Sequence, residues 1–259
     1  MGREPPVPRP LGAGPLLAVV LPLATWRLVQ LLVVADRGIF AKYPEAAARV
    51  LSGQLPLDRL PDLSPGYLWS VVSLLALPRI TPRVILVLQV LALAAVALLA
   101  AAVAGRRAGT LAACTTAAAL LTSGAVFVNA TELEPETLIL LLDALALWLL
   151  LGRRQPRPVL AGLALGGSVA TRPSAALAVV ALAAWLAARR RLGDLLALVV
   201  AAAVIPLVVI LLHVVLVGSP TLMNPGTVFY EGMNPGATGY LSALPPSVVE
   251  VERHLDQPD

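Results

Sequence analysis

Long uninterrupted runs of apolar residues dominate this chain, and short charged or proline-rich stretches separate them. A helix needs roughly 20 apolar residues to cross the hydrocarbon core of a bilayer. Because several runs approach that length, the pattern predicts an all-α, polytopic bundle of about seven membrane spans. The predicted spans are 15–35, 84–104, 109–128, 136–151, 158–171, 173–188 and 194–217.

The boundary between the fifth and sixth predicted spans consists only of Thr171, Arg172 and Pro173. A charged residue followed by a helix breaker favours a tight hairpin between two separate helices. A single helix kinked at Pro173 remains the alternative. That alternative would reduce the count to six and move the C-terminal segment to the opposite side of the membrane.

Two polar stretches are longer than a connection between spans requires. The first, 36–83, contains an amphipathic stretch at 43–51 that predicts a short helix. It also contains an apolar stretch at 64–77 that predicts a helix at the membrane interface. We therefore divide the chain into a transmembrane domain, 1–217, and an outer polar segment, 218–259. We expect the latter to begin a longer C-terminal region.

Composition and charge support a membrane location and give it a direction. The chain is 58% hydrophobic and 13% charged, whereas soluble proteins are about 25% charged. With the N-terminus in the cytoplasm, the inner loops hold ten basic and two acidic residues, and the outer segments hold eight basic and twelve acidic residues. This asymmetry follows the positive-inside rule. It predicts a multi-pass protein of the inner or plasma membrane, and it explains the net charge of +4 without a nucleic-acid partner.

Acidic side chains in the outer segments are the first candidates for chemistry. Asp36 directly follows the first span, and Asp62 precedes the interfacial stretch. A carboxylate near the membrane surface can act as a general base on a hydroxyl or bind a divalent metal, although both residues are also compatible with ordinary solvated loop acids. Glu132, Glu134 and Glu136 lie where the fourth span begins. The helix dipole explains Glu134 and Glu136 but explains Glu132 less well.

Arg172 is the basic residue of greatest interest. It lies between two apolar stretches at the predicted outer face, where an arginine can hold a phosphate with two hydrogen bonds. Snorkelling of its side chain toward lipid headgroups is an equally acceptable interpretation. Arg27 and Asp143 lie within spans, where packing or pairing between helices is the expected role. The chain has no nucleotide-binding glycine motif, so nucleotide-driven transport is not supported.

Five segments at the predicted outer face carry a resemblance to a known family. They are 43–53 (YPEAAARVLSG), 62–68 (DLSPGYL), 130–137 (ATELEPET), 166–173 (GGSVATRP) and 229–239 (FYEGMNPGATG). In this order, they resemble the integral membrane glycosyltransferases of the GT-C fold. More narrowly, they resemble the family 39-like bacterial relatives of dolichyl-phosphate-mannose protein mannosyltransferases and lipid A aminoarabinose transferases.

The resemblance implies an enzyme that moves a sugar from a polyprenyl-phosphate donor to a protein, lipid or polysaccharide at the outer membrane face. In this family an acid of the first outer loop serves as a base or as a metal-linked acid. Ile39 occupies the place of the usual aspartate, so Asp36 is the nearest candidate and Glu45 the second. By the same resemblance, Arg172 would hold the donor phosphate.

The remaining residues that the resemblance assigns to substrate binding are Tyr43, Asp62, Tyr67, Glu132 and Tyr230. It implies a polyprenyl-phosphate-linked sugar and the lipid bilayer as partners; it defines no cofactor, and a divalent metal is compatible with it. Two other interpretations remain open. One is a transporter or flippase, which predicts repeated halves with broken helices at the membrane midplane. The other is a membrane scaffold that has lost activity, which the residue at position 39 favours.

Overall fold

The structure of the chain is a computed structural model, and it describes residues 13–34, 42–53, 65–131, 133–153 and 155–217. Every regular element within these ranges is helical, which confirms the predicted all-α class. A π-helical turn, Trp148–Gly152, extends α6, and a short 3-10 turn, Pro173–Ala175, precedes α8. The α-helices are α1 Ala13–Val34, α2 Lys42–Leu51, α3 Pro65–Leu75, α4 Pro82–Thr122, α5 Gly124–Thr131, α6 Glu136–Leu147, α7 Pro158–Thr171, α8 Ala176–Ala188 and α9 Leu192–Val217.

Three of these helices are long and apolar enough to cross a membrane, namely α1, α4 and α9. Helices α5 and α6 form a pair bent by 118°, which can count as a fourth, broken span. Helix α7 and the segment Pro173–Ala188 are apolar but shorter. A membrane-embedded helical protein is therefore confirmed. Helix length alone does not give the predicted number of seven spans.

Helix α4 covers two of the predicted spans. As a straight helix its 41 residues would extend about 62 Å, roughly twice the thickness of the hydrocarbon core. Gly109 interrupts it with a φ of 87°, a backbone conformation that glycine adopts at little cost. Leu93 and Ala97 before this break belong to the same core cluster as Ala113 and Ala117 after it. Both parts of α4 thus build one core.

Two glycines on α7 allow its backbone to touch that of α9. A Cβ atom at Gly162 would lie 2.4 Å from the carbonyl oxygen of Leu198, and one at Gly166 would lie 2.6 Å from that of Ala202. Small residues four positions apart are typical of such close helix contacts in membranes. Because both contacts advance in the same direction along the two helices, α7 and α9 run parallel.

Helix α8 must therefore run back along the other two. It joins the C-terminal end of α7 to the N-terminal end of α9. Because α7 and α9 are parallel, these two helix ends lie at opposite ends of the pair, and α8 must run antiparallel to both to connect them. Arg172, in an extended conformation with φ −150° and ψ 119°, ends α7 at this turn. Of the two interpretations of the Thr171–Pro173 boundary, this arrangement agrees with the hairpin and not with a kinked single helix.

A buried arginine on α1 stabilises the end of α4. Arg27 Nε donates a hydrogen bond to the carbonyl of Leu121 at 2.5 Å, and another guanidinium nitrogen donates to the carbonyl of Ser123 at 3.1 Å. Carbonyls at a helix C-terminus have no partner within their own helix. The guanidinium also stacks on the ring of Phe127, 4.3 Å from its centroid. The predicted role of Arg27 in interhelical pairing is thus observed.

Candidate functional site

A close contact between α3 and α7 brings two distant parts of the sequence together. A Cβ atom at Gly66 would lie 2.4 Å from the carbonyl oxygen of Ala170 and 2.8 Å from the nitrogen of Thr171. Only glycine permits this approach, because any larger residue would overlap the α7 backbone. Gly66 therefore places the beginning of α3, including Tyr67, beside the end of α7, where Arg172 follows.

Tyr67 lies at the centre of a buried polar cluster. Its ring meets that of Tyr43 edge to face, with centroids 4.7 Å apart, and both residues are about 5% exposed. Gln89 Nε2 donates one hydrogen bond to the Tyr67 hydroxyl at 2.8 Å and another to the carbonyl of Glu134 at 3.1 Å. These contacts tie α2, α3 and α4 to the turn before α6.

The electrostatic environment keeps the Tyr67 hydroxyl protonated. Burial raises the pKa of this group, and the negative charge of Glu134 and the neighbouring Tyr43 raise it further. Loss of the proton would create a second negative charge in a site with little water. Tyr67 is therefore a hydrogen-bonding group here and not a base.

Arg172 and Glu136 form an ion pair at the edge of this cluster. Arg172 terminates α7, and Glu136 begins α6, so the pair joins the two helix ends. The Arg172 side chain is 46% exposed, whereas that of Glu136 is 28% exposed. Glu136 Oε2 is buried and makes no hydrogen bond with any residue that the structure describes. The carboxylate thus keeps an unused acceptor.

A cavity of about 420 Å³ opens beside the ion pair. Asn129 and Ser174 contribute polar side chains to its wall, and Glu136 and Arg172 contribute the charges. Val126, Ile139 and Leu140 make the rest of the wall apolar. Such a mixture of an apolar wall and a few converging polar groups is typical of a small-molecule site. It can accommodate an anion at Arg172 together with an apolar group.

The structure brings together some, but not all, of the predicted site residues. Tyr43, Tyr67 and Arg172 lie in or beside the cluster just described. Glu45 is exposed on α2, whereas Tyr43 on the same helix is buried, so the two face different surroundings. The other predicted site residues lie outside the described ranges, so their positions stay predictions: Asp36, Asp62, Glu132 and Tyr230.

Two residues at the site have larger roles than the sequence suggested. Glu136 was explained by the helix dipole, but its position opposite Arg172 depends on a contact across 36 positions of the chain. Gln89 is an amide within a predicted span, and a polar group in such a place generally has a specific partner. That signal was present in the sequence and would have identified Gln89.

A second polar pair lies on α6 and α7, away from the cavity. Asp143 interacts with Ser168, which is fully buried. Asp143 Oδ1 and Ser168 Oγ make no hydrogen bond of ordinary geometry within the part of the chain that the structure describes. In those same ranges, no group of three or more His, Cys, Asp or Glu side chains is placed to hold a metal ion.

Comparison with known proteins gives no relative. No family model, no curated protein and no solved structure matches this chain.

Proposed function

We propose that the chain is a membrane glycosyltransferase that takes a sugar from a polyprenyl-phosphate donor. One observation carries the proposal: three segments that resemble the GT-C family meet, because Gly66 packs the buried pair of Tyr67 and Tyr43 against the end of α7, where Arg172 lines a cavity. Sequence resemblance alone did not require these residues to be neighbours. A donor of this kind has an anionic phosphate and an apolar chain, and the cavity has a guanidinium and an apolar wall.

In the proposed reaction, the bond between the sugar anomeric carbon and the phosphate oxygen breaks. The electron pair of that bond stays on the phosphate, and Arg172 stabilises the charge that develops there. The oxygen of an acceptor hydroxyl forms the new bond to the anomeric carbon. Asp36 accepts the proton of that hydroxyl as a general base. The amide of Asn129 and the hydroxyl of Ser174, both in the cavity wall, are available to orient the sugar.

The ion pair with Glu136 is part of this proposal. A partly exposed pair of this kind contributes about 0–1 kcal/mol, so the phosphodiester of the donor, which carries one negative charge, can replace Glu136 as the partner of Arg172 through two hydrogen bonds. Glu136 thus holds the guanidinium in position before the donor binds. After the exchange, its carboxylate faces the cavity and can accept hydrogen bonds from sugar hydroxyls.

Replacing Asp36 with asparagine tests the function. We expect transfer to fall by about 100-fold to 10,000-fold, because a general base contributes that much. The assay follows radiolabelled sugar from a polyprenyl-phosphate donor into the acceptor fraction of membranes that contain the protein. Asp194→Asn, which removes an acid at the other end of the bundle, is the matched control and should retain activity. An Asp36→Asn protein that transfers sugar at the wild-type rate would refute this assignment.

A flippase for lipid-linked substrates is the second candidate, and the bent pair α5 and α6 favours it. Broken helices of this kind form substrate sites in transporters, and here the pair is bent by 118°. The two functions differ in their products. A flippase moves the donor across a sealed vesicle unchanged, whereas a transferase leaves free polyprenyl phosphate on the side where the sugar was used.

We also propose that the bundle makes seven crossings, with the N-terminus in the cytoplasm of the cell and the cavity at the outer face. The parallel course of α7 and α9, with α8 returning between them, supports this proposal, as does the break at Gly109. Its loops place Arg106 and Arg107 inside and the pair of Arg172 with Glu136 outside.

Labelling of single cysteines tests this topology. On a Cys114→Ser background, a membrane-impermeant maleimide should label Ser174→Cys in intact cells but label Ala108→Cys only after permeabilisation. Both positions are exposed, so a failure to label reflects the membrane and not burial in the protein. Labelling of both positions from the same side would contradict the proposed crossings.

A further inference from the structure

A second cavity lies at the opposite end of α7 from Arg172 and has a different character. It is a groove of about 510 Å³ between α7 and α9, and its wall is apolar. Val159 and Leu163 line it on α7, and Gly193, Leu196, Val200 and Val204 line it on α9. Most of these side chains are exposed on the outer surface of the bundle, so the groove opens toward the surrounding lipid.

The length of the groove fits one leaflet of a bilayer. From Gly193 to Val204 the lining advances by eleven residues, which corresponds to about 16 Å along a helix. Half of the hydrocarbon core is about 15 Å thick. The groove therefore has the length of a single apolar chain that enters from one membrane surface and ends near the midplane.

The mouth of the groove carries basic residues. Arg157 precedes Val159 by two positions, and Arg190 precedes Gly193 by three. Both arginine side chains are exposed, and neither makes an ion pair or a hydrogen bond with a residue in the described ranges. The described arginines nearest to them in the sequence do have partners: Arg153 stacks on Trp148, Arg189 stacks on Trp185, and Arg191 pairs with Asp194.

The backbone at Arg190 adds a separate observation. Its φ is 55°, in the left-handed region that favours glycine and that is strained for other residues. The turn closes α8 through hydrogen bonds from the nitrogen of Arg190 to the carbonyl of Ala187 and from that of Arg191 to the carbonyl of Leu186. A glycine would form the same turn more easily. This turn fixes the backbone of Arg190 three residues before Gly193, at the mouth of the groove.

We propose that this groove, together with Arg157 and Arg190, is a binding site for an anionic phospholipid. One acyl chain lies along α9 from Gly193 to Val204, and the phosphate of the headgroup contacts the two guanidinium groups. Charge complementarity identifies the occupant, because two arginines that pair with no residue in the described ranges border an otherwise apolar groove. The site is separate from the cavity at Arg172: the two share no lining residue, and Arg157 at the mouth of the groove lies about 22 Å from Arg172 along α7.

The test uses the purified full chain in an uncharged detergent, titrated with phosphatidylglycerol or with phosphatidylcholine. Binding is followed by native mass spectrometry and by the rise in Tm that a ligand of the folded state produces. We expect the wild-type protein to prefer phosphatidylglycerol. An Arg157→Gln, Arg190→Gln double variant should lose about 25-fold in apparent affinity, at about fivefold for each arginine. Its Tm in phosphatidylcholine should be unchanged.

Two further variants separate this site from general attraction to charge. Arg106→Gln with Arg107→Gln removes two exposed arginines at the break in α4 and should keep the preference for phosphatidylglycerol. Leu196→Trp fills the groove and leaves the arginines in place, so it should weaken binding. Equal losses in both double variants, or full binding by Leu196→Trp, would overturn the proposal. Displacement of bound phosphatidylglycerol by equimolar polyprenyl phosphate would overturn the assignment of the occupant.

Discussion

Replacing Arg172 with alanine is expected to lower the rate of sugar transfer by about 100-fold to 1,000-fold, which is the usual cost of removing one group that stabilises the developing charge. In the proposed reaction the donor phosphate contacts this guanidinium, and no other cationic side chain lines the described cavity. The effect should appear mainly in kcat, because the charge on the phosphate grows as the bond to the sugar breaks. Initial rates with a radiolabelled donor measure it.

Three companion variants make this result specific. Arg172→Lys keeps the positive charge but loses the two parallel hydrogen bonds, so it should recover only part of the rate. Arg107→Ala removes an exposed arginine at the other end of the bundle and should leave the rate unchanged. Glu136→Gln should lower the KM for the donor, because the phosphate no longer competes with a carboxylate. Full activity of Arg172→Ala would show that this residue does not bind the phosphate.

Enlarging the glycines between α7 and α9 is expected to produce the largest loss of stability. A Cβ atom at Gly162 would come within 2.4 Å of the Leu198 carbonyl oxygen and 2.8 Å of the Ala201 Cβ atom. Neither group can move without shifting the α9 backbone. Overpacking of this kind costs typically about 1–3 kcal/mol, so Gly162→Ala alone should lower the Tm. Gly162→Leu should prevent the helices from packing.

Gly193 provides the matched control on α9. A Cβ atom there meets nothing within 4 Å, and alanine has the higher helix propensity by up to about 1 kcal/mol. Gly193→Ala should therefore leave the Tm unchanged or raise it. Thermal unfolding in detergent, followed by circular dichroism, compares the two variants. Equal Tm values for wild type and Gly162→Ala would contradict the close contact between the helices.

The long helices could be predicted from the sequence because each is an apolar run long enough to be recognised by itself, and α2 could be predicted from its amphipathic pattern. The predicted spans at 15–35 and 194–217 correspond to α1 and α9, and the amphipathic stretch at 43–51 corresponds to α2. The number of crossings was harder to predict. Whether two runs form one helix or two depends on single residues such as Gly109, whose backbone conformation the composition of the runs does not reveal.

The candidate site was predictable only in part. Tyr43, Tyr67 and Arg172 were identified as separate residues of familiar segments, and the structure adds that they are neighbours. That proximity depends on Gly66 meeting the backbone of Ala170, a contact between positions about a hundred residues apart. The pairing of Glu136 with Arg172 also depends on helix packing, because it joins the ends of two different helices. Local patterns describe one helix at a time, whereas a site between helices requires knowledge of how they pack.

The most direct test of the central claim is sugar transfer by membranes that contain this protein. Such membranes receive polyprenyl phosphates carrying different radiolabelled sugars, and the label in the acceptor fraction is compared with that in membranes containing Arg172→Ala. The proposed function predicts that at least one donor is consumed by the wild-type membranes, with release of polyprenyl phosphate, and that Arg172→Ala reduces this transfer at least 100-fold. Equal labelling with wild type, with Arg172→Ala and without the protein would contradict it.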